Sequence, residues 1–205
     1  MTDGRNIFVC GRTGSGKTWL LQRQLLIGVR RLIVYLPKRE EVGYAGIYFD
    51  AFNQERSDFY RAWLDAWSSG GNHRLIYRPD DPFETATFDR ICMGVYHAGD
   101  CTFVAEDLAG YVNERSGLGA GFKTLLTAGR TRGVTTYLVT QRPYRIPREV
   151  TSQAREAYLF ATHEPNDVAY IREAFGVDAA AAMERAGQYE YVHWIETGKV
   201  EVGKA

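Results

Sequence analysis

The sequence contains few cysteines, and their positions exclude two classes of small domain. Only Cys10, Cys92 and Cys101 occur among the 205 residues. Their spacing matches neither a disulfide framework nor a cysteine metal site. Unpaired cysteines at this low frequency are typical of proteins in a reducing compartment. We therefore expect a cytosolic protein that folds without disulfides.

The sequence also lacks long apolar runs and net charge. No apolar stretch approaches the roughly 18 residues that a membrane-spanning helix needs. The N-terminal MTDGRNIFVC has neither the basic start nor the apolar core of a signal peptide. Lys and Arg together number 25, as do Asp and Glu, so no overall field attracts nucleic acid or anionic lipid. We predict a single domain over residues 1–205 that is not itself transmembrane, and any binding of DNA would depend on local clusters of cations.

Short apolar runs alternate with amphipathic segments, which predicts an α/β fold. We expect a mostly parallel sheet flanked by helices, with a C-terminal antiparallel hairpin at its edge. The predicted strands cover residues 6–10, 31–36, 73–79, 101–105, 135–140 and 157–161, and the hairpin pairs 189–195 with 199–202. The predicted helices cover residues 17–29, 54–67, 81–97, most of 108–129 and 165–175.

An aromatic stripe marks the second predicted helix. Phe59, Trp63 and Trp67 recur every four residues, which places them on one helical face. Such a stripe is more typical of a core or a subunit contact than of a platform that stacks bases. We therefore predict that these rings pack against the sheet or another subunit.

The stretch CGRTGSGKTW carries the most specific motif. It fits the pattern G-x-x-x-x-G-K-[ST] between a predicted strand and a predicted helix. The residues of this phosphate loop are Gly11, Arg12, Thr13, Gly14, Ser15, Gly16, Lys17 and Thr18. Backbone N–H groups would surround the β-phosphate, Lys17 would reach the β- and γ-phosphates, and the Thr18 hydroxyl would ligate Mg²⁺. The motif predicts that the chain binds a nucleoside triphosphate.

Two acidic residues follow the apolar strand CTFVA. Glu106 and Asp107 stand where one carboxylate would hold Mg²⁺ and the other would orient or deprotonate the attacking water. The alternative is that they only cap a helix N-terminus. Two adjacent carboxylates favour hydrolysis over a switch GTPase. Because the chain also lacks an N-K-x-D guanine signature, we predict ATP as the nucleotide.

The stretch GRTRGVTTYLVTQRPYRIP, residues 129–147, carries a family resemblance. Its helix end Arg130-Thr-Arg-Gly133 and its strand end Thr-Gln-Arg-Pro resemble the FtsK–HerA superfamily, a RecA-like group of hexameric P-loop ATPases that pump DNA. The resemblance extends from Asn6 to the final hairpin. Because 205 residues are enough only for the ATPase motor domain, the chain resembles the A32-like genome-packaging ATPases of icosahedral viruses that contain an internal membrane.

The resemblance implies roles for residues outside the phosphate loop. Gln141 would sense the γ-phosphate or position water, although a glutamine at a strand end can simply satisfy backbone groups. Arg130 would enter the neighbouring subunit's site, with Arg132 and Arg142 as alternatives. The family usually has Asp-Glu where this chain has Glu106-Asp107. We assign Glu106 to Mg²⁺ and Asp107 to water.

The same resemblance implies partners and a location. These are double-stranded DNA, a homo-oligomeric ring (a hexamer, or alternatively a pentamer), and capsid-vertex or membrane proteins of the virion. The location would be the host cytoplasm and the packaging vertex of the virion. Sequence-independent DNA contact requires cations, which predicts roles for Arg142, Arg145, Arg148 and Lys123, with the loop at 116–121 facing the pore. Each could instead be an ordinary solvated side chain.

Three other functions are compatible with the phosphate loop. A small-molecule P-loop kinase has a similar length but normally has an arginine-rich lid and no TQRP strand. A nucleotide-dependent assembly protein would hydrolyse ATP slowly without moving DNA. A DNA translocase could also act in plasmid mobilisation or DNA segregation rather than in packaging.

Overall fold

The computed structural model describes residues 4–38, 43–51, 56–112 and 117–205. Strands β1 to β9 are Asn6–Cys10, Arg31–Tyr35, Ile47–Asp50, His73–Arg78, Thr102–Ala105, Thr135–Thr140, Glu156–Phe160, Glu190–Ile195 and Val200–Lys204. Helices α1 to α7 are Lys17–Leu20, Arg56–Ser68, Thr85–Ala98, Ala120–Ala128, Arg148–Ser152, Pro165–Phe175 and Val177–Arg185. Helix α1 continues as a π-helix over Leu21–Leu25, and 3₁₀ turns occupy Leu108–Gly110, Gly129–Arg132 and Pro143–Arg145.

The described strands form one sheet in the order β3-β4-β2-β5-β6-β1-β7-β8-β9. Strands β3 to β7 in this order are parallel, whereas β8 and β9 pair antiparallel at one edge. The α/β class, the mostly parallel sheet and the final hairpin are therefore as predicted. Among the described residues, no helix has the length and apolar character to cross a membrane.

The central strands are buried on both faces, which explains their continuous apolar sequences. All five residues of β1 are buried. Their side chains alternate between the two faces of the sheet. Phe8 and Cys10 join a core with α2, α3, α4, α6 and α7, while Ile7 and Val9 join a second core under α1 and the π-helix. Two hydrophobic layers thus fix the position of the loop that follows β1.

The aromatic stripe of α2 packs as predicted for a core. Phe59 and Trp63 are buried, and Trp67 is partly buried against the same cluster. The ring centroids of Phe59 and Tyr77 lie 5.0 Å apart, which connects α2 to β4. These rings therefore stabilise the helix on the sheet.

Several element boundaries differ from the sequence-based prediction. Strand β3 was not expected, since it is a four-residue strand at the sheet edge with Ile47 exposed. Helices α5 and α7 were also not expected, because both are short and α7 has a run of small alanines. The helix predicted from residue 81 begins at Thr85 because Asp81 closes a turn first, accepting a 2.9 Å hydrogen bond from the Phe83 N–H. Ser116 lies outside the described residues.

The sheet order brings three segment ends together. Strands β5, β6 and β1 are consecutive neighbours, with Cα partners Ala105↔Leu138 and Cys10↔Thr140. The segments that follow their carboxyl ends contain the phosphate loop, the acidic pair and Gln141. In parallel α/β sheets, ligands commonly bind in a crevice just outside the carboxyl ends of the strands.

Candidate functional site

The phosphate loop depends on glycine at the points where it turns. Gly11 has φ 151° and Gly16 has φ 104°, conformations that side-chain-bearing residues rarely adopt. A Cβ on Gly11 would lie 2.5 Å from the Cβ of Phe160, so there is no space for it. The Ser15 Oγ is buried, and no described residue is hydrogen-bonded to it. This tight loop with an unsatisfied hydroxyl fits an oxyanion ligand.

Lys17 lies over the loop with its side chain largely buried. Its Nζ donates hydrogen bonds to the carbonyl oxygens of Gly11 at 2.6 Å and Arg12 at 2.8 Å. Burial lowers the pKa of Lys17 to about 8, and Glu106 partly opposes this shift. A buried ammonium without a full counter-charge is stabilised by a polyanion placed against it.

Glu106 follows β5 and is buried, with 3% of its surface exposed. One carboxylate oxygen accepts a 2.7 Å hydrogen bond from the Tyr44 hydroxyl, and the backbone oxygen accepts a 2.6 Å bond from Tyr111. Burial raises the pKa of Glu106, while the Tyr44 hydrogen bond and the charges of Lys38 and Lys17 lower it. The carboxylate is therefore held in one position beside the phosphate loop.

Asp107 and Gln141 form a second polar group at the same edge. The Gln141 amide Nε2 lies 3.5 Å from Asp107 Oδ1, and the Thr13 hydroxyl donates to Gln141 Oε1 at 2.7 Å. Asp107 adopts φ 54°, a left-handed conformation that aspartate tolerates better than most residues. Its second oxygen lies 4.0 Å from Lys38 Nζ. Gln141 thus links the phosphate loop to the acidic pair.

A cavity of about 470 Å³ adjoins these side chains. It is lined by the phosphate loop, Glu106, Asp107 and Gln141, and also by Trp19, Gln22, Lys38 and Tyr189. The last four residues, and Tyr44, were not predicted. Trp19 directly follows the motif and could have been found, whereas the positions of Lys38, Tyr44 and Tyr189 depend on the sheet order.

The donor atoms at this edge fit Mg²⁺. The Thr18 hydroxyl and the Glu106 carboxylate line the same cavity, and both supply the hard oxygen ligands that Mg²⁺ prefers. Among the described residues, no group of three or more His, Cys, Asp or Glu side chains is arranged as a metal site. Mg²⁺ in triphosphate sites characteristically takes further ligands from phosphate and water.

Arg130 lies near the amino ends of the parallel strands, whereas the phosphate loop of the same chain lies at their carboxyl ends. It belongs to the 3₁₀ turn that precedes β6, whereas Gln141 follows that strand. Because β6 has six residues and each extends roughly 3.3 Å, the two ends of the strand lie about 20 Å apart. Arg130 is exposed, while the neighbouring Arg132 donates to the backbone oxygens of Tyr96 and His97. Arg130 therefore does not belong to the cavity of its own chain.

Three of the four predicted DNA-contacting cations have acidic neighbours. Lys123 Nζ lies 3.1 Å from Glu149, and Arg148 pairs with Glu173. Arg142 Nη1 lies 3.5 Å from the buried Asp167 and 3.8 Å from Glu164. Arg145 instead bonds the Tyr144 hydroxyl through its Nε, at 3.1 Å. Their assignment to DNA stays a prediction, and all four side chains are exposed.

Neither a protein-family model nor a curated protein sequence matches the chain. Solved structures do. The genome packaging NTPase B204 from Sulfolobus turreted icosahedral virus 2, in complex with AMPPCP, has a TM-score of 0.80 at 18% identity, covering 99% of this chain and 98% of its own. B204, the DNA-packaging ATPase from Sulfolobus turreted icosahedral virus, has a TM-score of 0.79 at 19% identity, covering 100% and 98%.

A more distant structure shares the same architecture. VirB4 of Thermoanaerobacter pseudethanolicus has a TM-score of 0.63 at 11% identity and covers 97% of this chain and 88% of its own. At these identities the likeness concerns the fold. The shared fold covers between 97% and 100% of this chain.

Proposed function

We propose that this chain is an ATP-hydrolysing motor that moves double-stranded DNA and packages a viral genome into a preformed capsid. One observation carries the proposal. Strands β1, β5 and β6 are neighbours, so Lys17, Glu106, Asp107 and Gln141 line a single cavity. The likeness to B204, which is named a DNA-packaging ATPase, supports the choice of packaging among the possible uses of ATP.

The residues of the cavity suggest how the reaction would proceed. Lys17 would leave its loop carbonyls for the β- and γ-phosphate oxygens. Asp107 and Gln141, which already lie side by side, would orient a water molecule toward the γ-phosphorus. As the water oxygen bonds to phosphorus and the bond to the ADP oxygen breaks, the water proton would pass to Asp107. Mg²⁺, held by Thr18 and Glu106, would supply neutralising charge to the phosphates.

The position of Arg130 supports a ring of identical subunits. Because it lies about 20 Å from its own cavity, it would stabilise phosphate charge only in a neighbouring copy. A head-to-tail contact of this kind forms a ring when the rotation between neighbouring subunits closes, and we propose a closed hexamer, with a pentamer as the alternative. Arg142, Arg145, Arg148 and Lys123 would contact duplex phosphates in the pore.

We further propose that the ring acts in the host cytoplasm and at the packaging vertex, where capsid-vertex or membrane proteins of the virion would hold it. A second candidate uses the same fold for a different task. A translocase with the same fold could move DNA in plasmid mobilisation or segregation. Both candidates require motion along duplex DNA, whereas an assembly NTPase does not.

ATP hydrolysis measured with and without linear duplex DNA tests the proposal. Wild-type protein should hydrolyse ATP several-fold faster with DNA and should displace a third strand annealed along the duplex. Lys17→Ala should lose hydrolysis by at least about 100-fold, since removing a single preorganised charge-stabilising group costs on this order. Lys199→Ala, which removes an exposed lysine paired with Glu201 on the hairpin, should behave as wild type. An ATP hydrolysis rate that does not change when duplex DNA is added would contradict the motor function.

A further inference from the structure

Two aromatic side chains at the cavity are not used by the phosphate chemistry. Trp19 is 50% exposed and Tyr189 is 46% exposed, and both line the cavity beside the phosphate loop. Aromatic side chains that line a ligand cavity commonly contact the bound ligand. Trp19 comes from the start of α1 and Tyr189 from the residue before β8, so two separate elements deliver them.

The backbone of Tyr189 is strained in a way that sets its position. Its φ of 65° is unfavourable for a bulky residue and is kept only where the surroundings impose it. Two hydrogen bonds do so. The Glu190 carboxylate accepts from the Gly187 N–H at 2.8 Å, and the Tyr189 carbonyl accepts from the Ala205 N–H at 2.8 Å. The turn therefore fixes where the tyrosine ring lies.

The ring of Tyr189 lies directly against the phosphate loop. A Cβ added to Gly16 would lie 3.4 Å from Cδ1 of Tyr189, which is van der Waals contact distance. The hairpin is also joined to the helix that follows the loop. Gln24 Nε2 donates to the Lys204 carbonyl at 3.1 Å, and the Tyr191 hydroxyl lies 3.5 Å from Gln24 Oε1. The ring is thus held at a fixed place relative to the triphosphate site.

We propose that Trp19 and Tyr189 form the site for the base of the bound nucleoside triphosphate. The inference rests on the proposed nucleotide-binding function and adds a base-recognition subsite to it. With the phosphates in the loop, the base needs a partner at the same cavity, and an aromatic face stacks on any base. A purine offers a larger face than a pyrimidine, so stacking favours ATP and GTP over CTP and UTP.

Binding measurements with and without a base test this subsite. Calorimetry would compare ATP, UTP and inorganic tripolyphosphate, which has the three phosphates but neither ribose nor base. Wild-type protein should bind ATP at least about tenfold more tightly than tripolyphosphate, the size of effect that stacking gives. Tyr189→Gly, which keeps the left-handed backbone, should lose about tenfold in ATP affinity while its tripolyphosphate affinity stays unchanged. Tyr189→Asn should do the same.

The controls separate the subsite from the rest of the site. Tyr189→Phe should retain ATP affinity, and Phe83→Ala, which removes an exposed aromatic ring outside the cavity lining, should change nothing. In protein without any change at Tyr189, ATP but not tripolyphosphate should alter tryptophan fluorescence, and Trp19→Phe should abolish that change. This second readout does not depend on the folding of a Tyr189 variant.

The outcomes distinguish this inference from the function on which it rests. Wild-type protein that binds neither ATP nor tripolyphosphate would overturn both. Wild-type protein that binds the two ligands equally, or Tyr189 variants that weaken both equally, would overturn only the base subsite. Variants that alter self-association and leave ATP affinity intact would show that the rings contact a neighbouring copy, and would also overturn it.

Discussion

At the scale of single residues, the hydrogen bond from Tyr44 to Glu106 is a contact in the candidate site that no sequence motif indicated. Both side chains are buried, and the two oxygens lie 2.7 Å apart. Glu106 directly follows β5, and its burial limits the contact of its carboxylate with water. The Tyr44 hydroxyl supplies part of the missing stabilisation, and it also fixes which way the carboxylate faces. Tyr44 is therefore a positioning residue for Glu106.

Replacing Tyr44 with Phe should destabilise the protein and slow ATP hydrolysis. A buried carboxylate that loses its donor costs about 1–3 kcal/mol, which urea unfolding would measure. Because the carboxylate is then less well positioned, kcat should fall more than KM rises. Tyr137→Phe serves as the control, since that buried hydroxyl makes a longer 3.4 Å bond to the Leu25 carbonyl and should cost less. A Tyr44→Phe protein with unchanged stability and kcat would contradict the positioning role.

At the scale of elements, the final hairpin depends on contacts with β7. Strand β8 pairs antiparallel with β7. At one end of this pair, Glu156 lies 3.2 Å from His193 Nε2 and 2.6 Å from Arg5 Nη1. The hydrogen bond with His193 and the charge of Arg5 hold the pKa of Glu156 below its usual value of 4.5. This carboxylate connects β8 to β7 and to the segment before β1.

Glu156→Gln should therefore destabilise the protein in a pH-dependent way. A carboxylate whose pKa is lowered by folding stabilises fully above its usual pKa of 4.5, and the contribution is lost as the pH falls through the lowered value. We expect a loss of about 1 kcal/mol near neutral pH and a smaller difference from wild type below pH 4.5. Urea unfolding across pH would measure it. Glu201→Gln, in an exposed pair with Lys199, should have little effect, and a pH-independent loss in Glu156→Gln would contradict this account.

At the scale of the whole molecule, the sheet separates the two halves of the proposed catalytic site. The cavity lies at the carboxyl ends of β1, β5 and β6, and Arg130 lies before the amino end of β6. A rigid sheet cannot fold back to join them. Catalysis that uses Arg130 would then require a second copy of the chain.

Mixing two inactive variants tests this requirement. Arg130→Ala and Glu106→Gln should each be inactive alone, but a mixed ring contains interfaces at which one subunit supplies Glu106 and its neighbour supplies Arg130. Random mixing in equal amounts makes about a quarter of the interfaces complete in a head-to-tail ring, so measurable ATPase activity should return. Mixing Arg130→Ala with the double variant Arg130→Ala/Glu106→Gln forms no complete interface and is the control. No recovery at any mixing ratio would exclude Arg130 as the residue acting in trans.

The phosphate loop, the buried strands and the α/β class could all be predicted from the amino-acid sequence alone. The loop could be predicted because its shape depends on consecutive residues, with glycines at the turns. The central strands could be predicted because burial on both faces requires an unbroken apolar run. Elements with less burial gave a weaker signal, so the edge strand β3 and the short helix α7 were not found.

Contacts between side chains that are distant in the sequence depend on how the elements pack in the folded protein. Tyr44 and Glu106 are separated by 62 residues, and Thr13 and Gln141 by 128, so no local pattern records their contact. The order of the parallel strands brings these site residues together at the carboxyl ends of the strands, whereas Arg130 precedes the amino end of β6. The same packing paired Lys123 and Arg148 with acids from other segments. Charge and aromatic surfaces therefore acquire their partners only after the chain has folded, because those partners lie far away along the sequence.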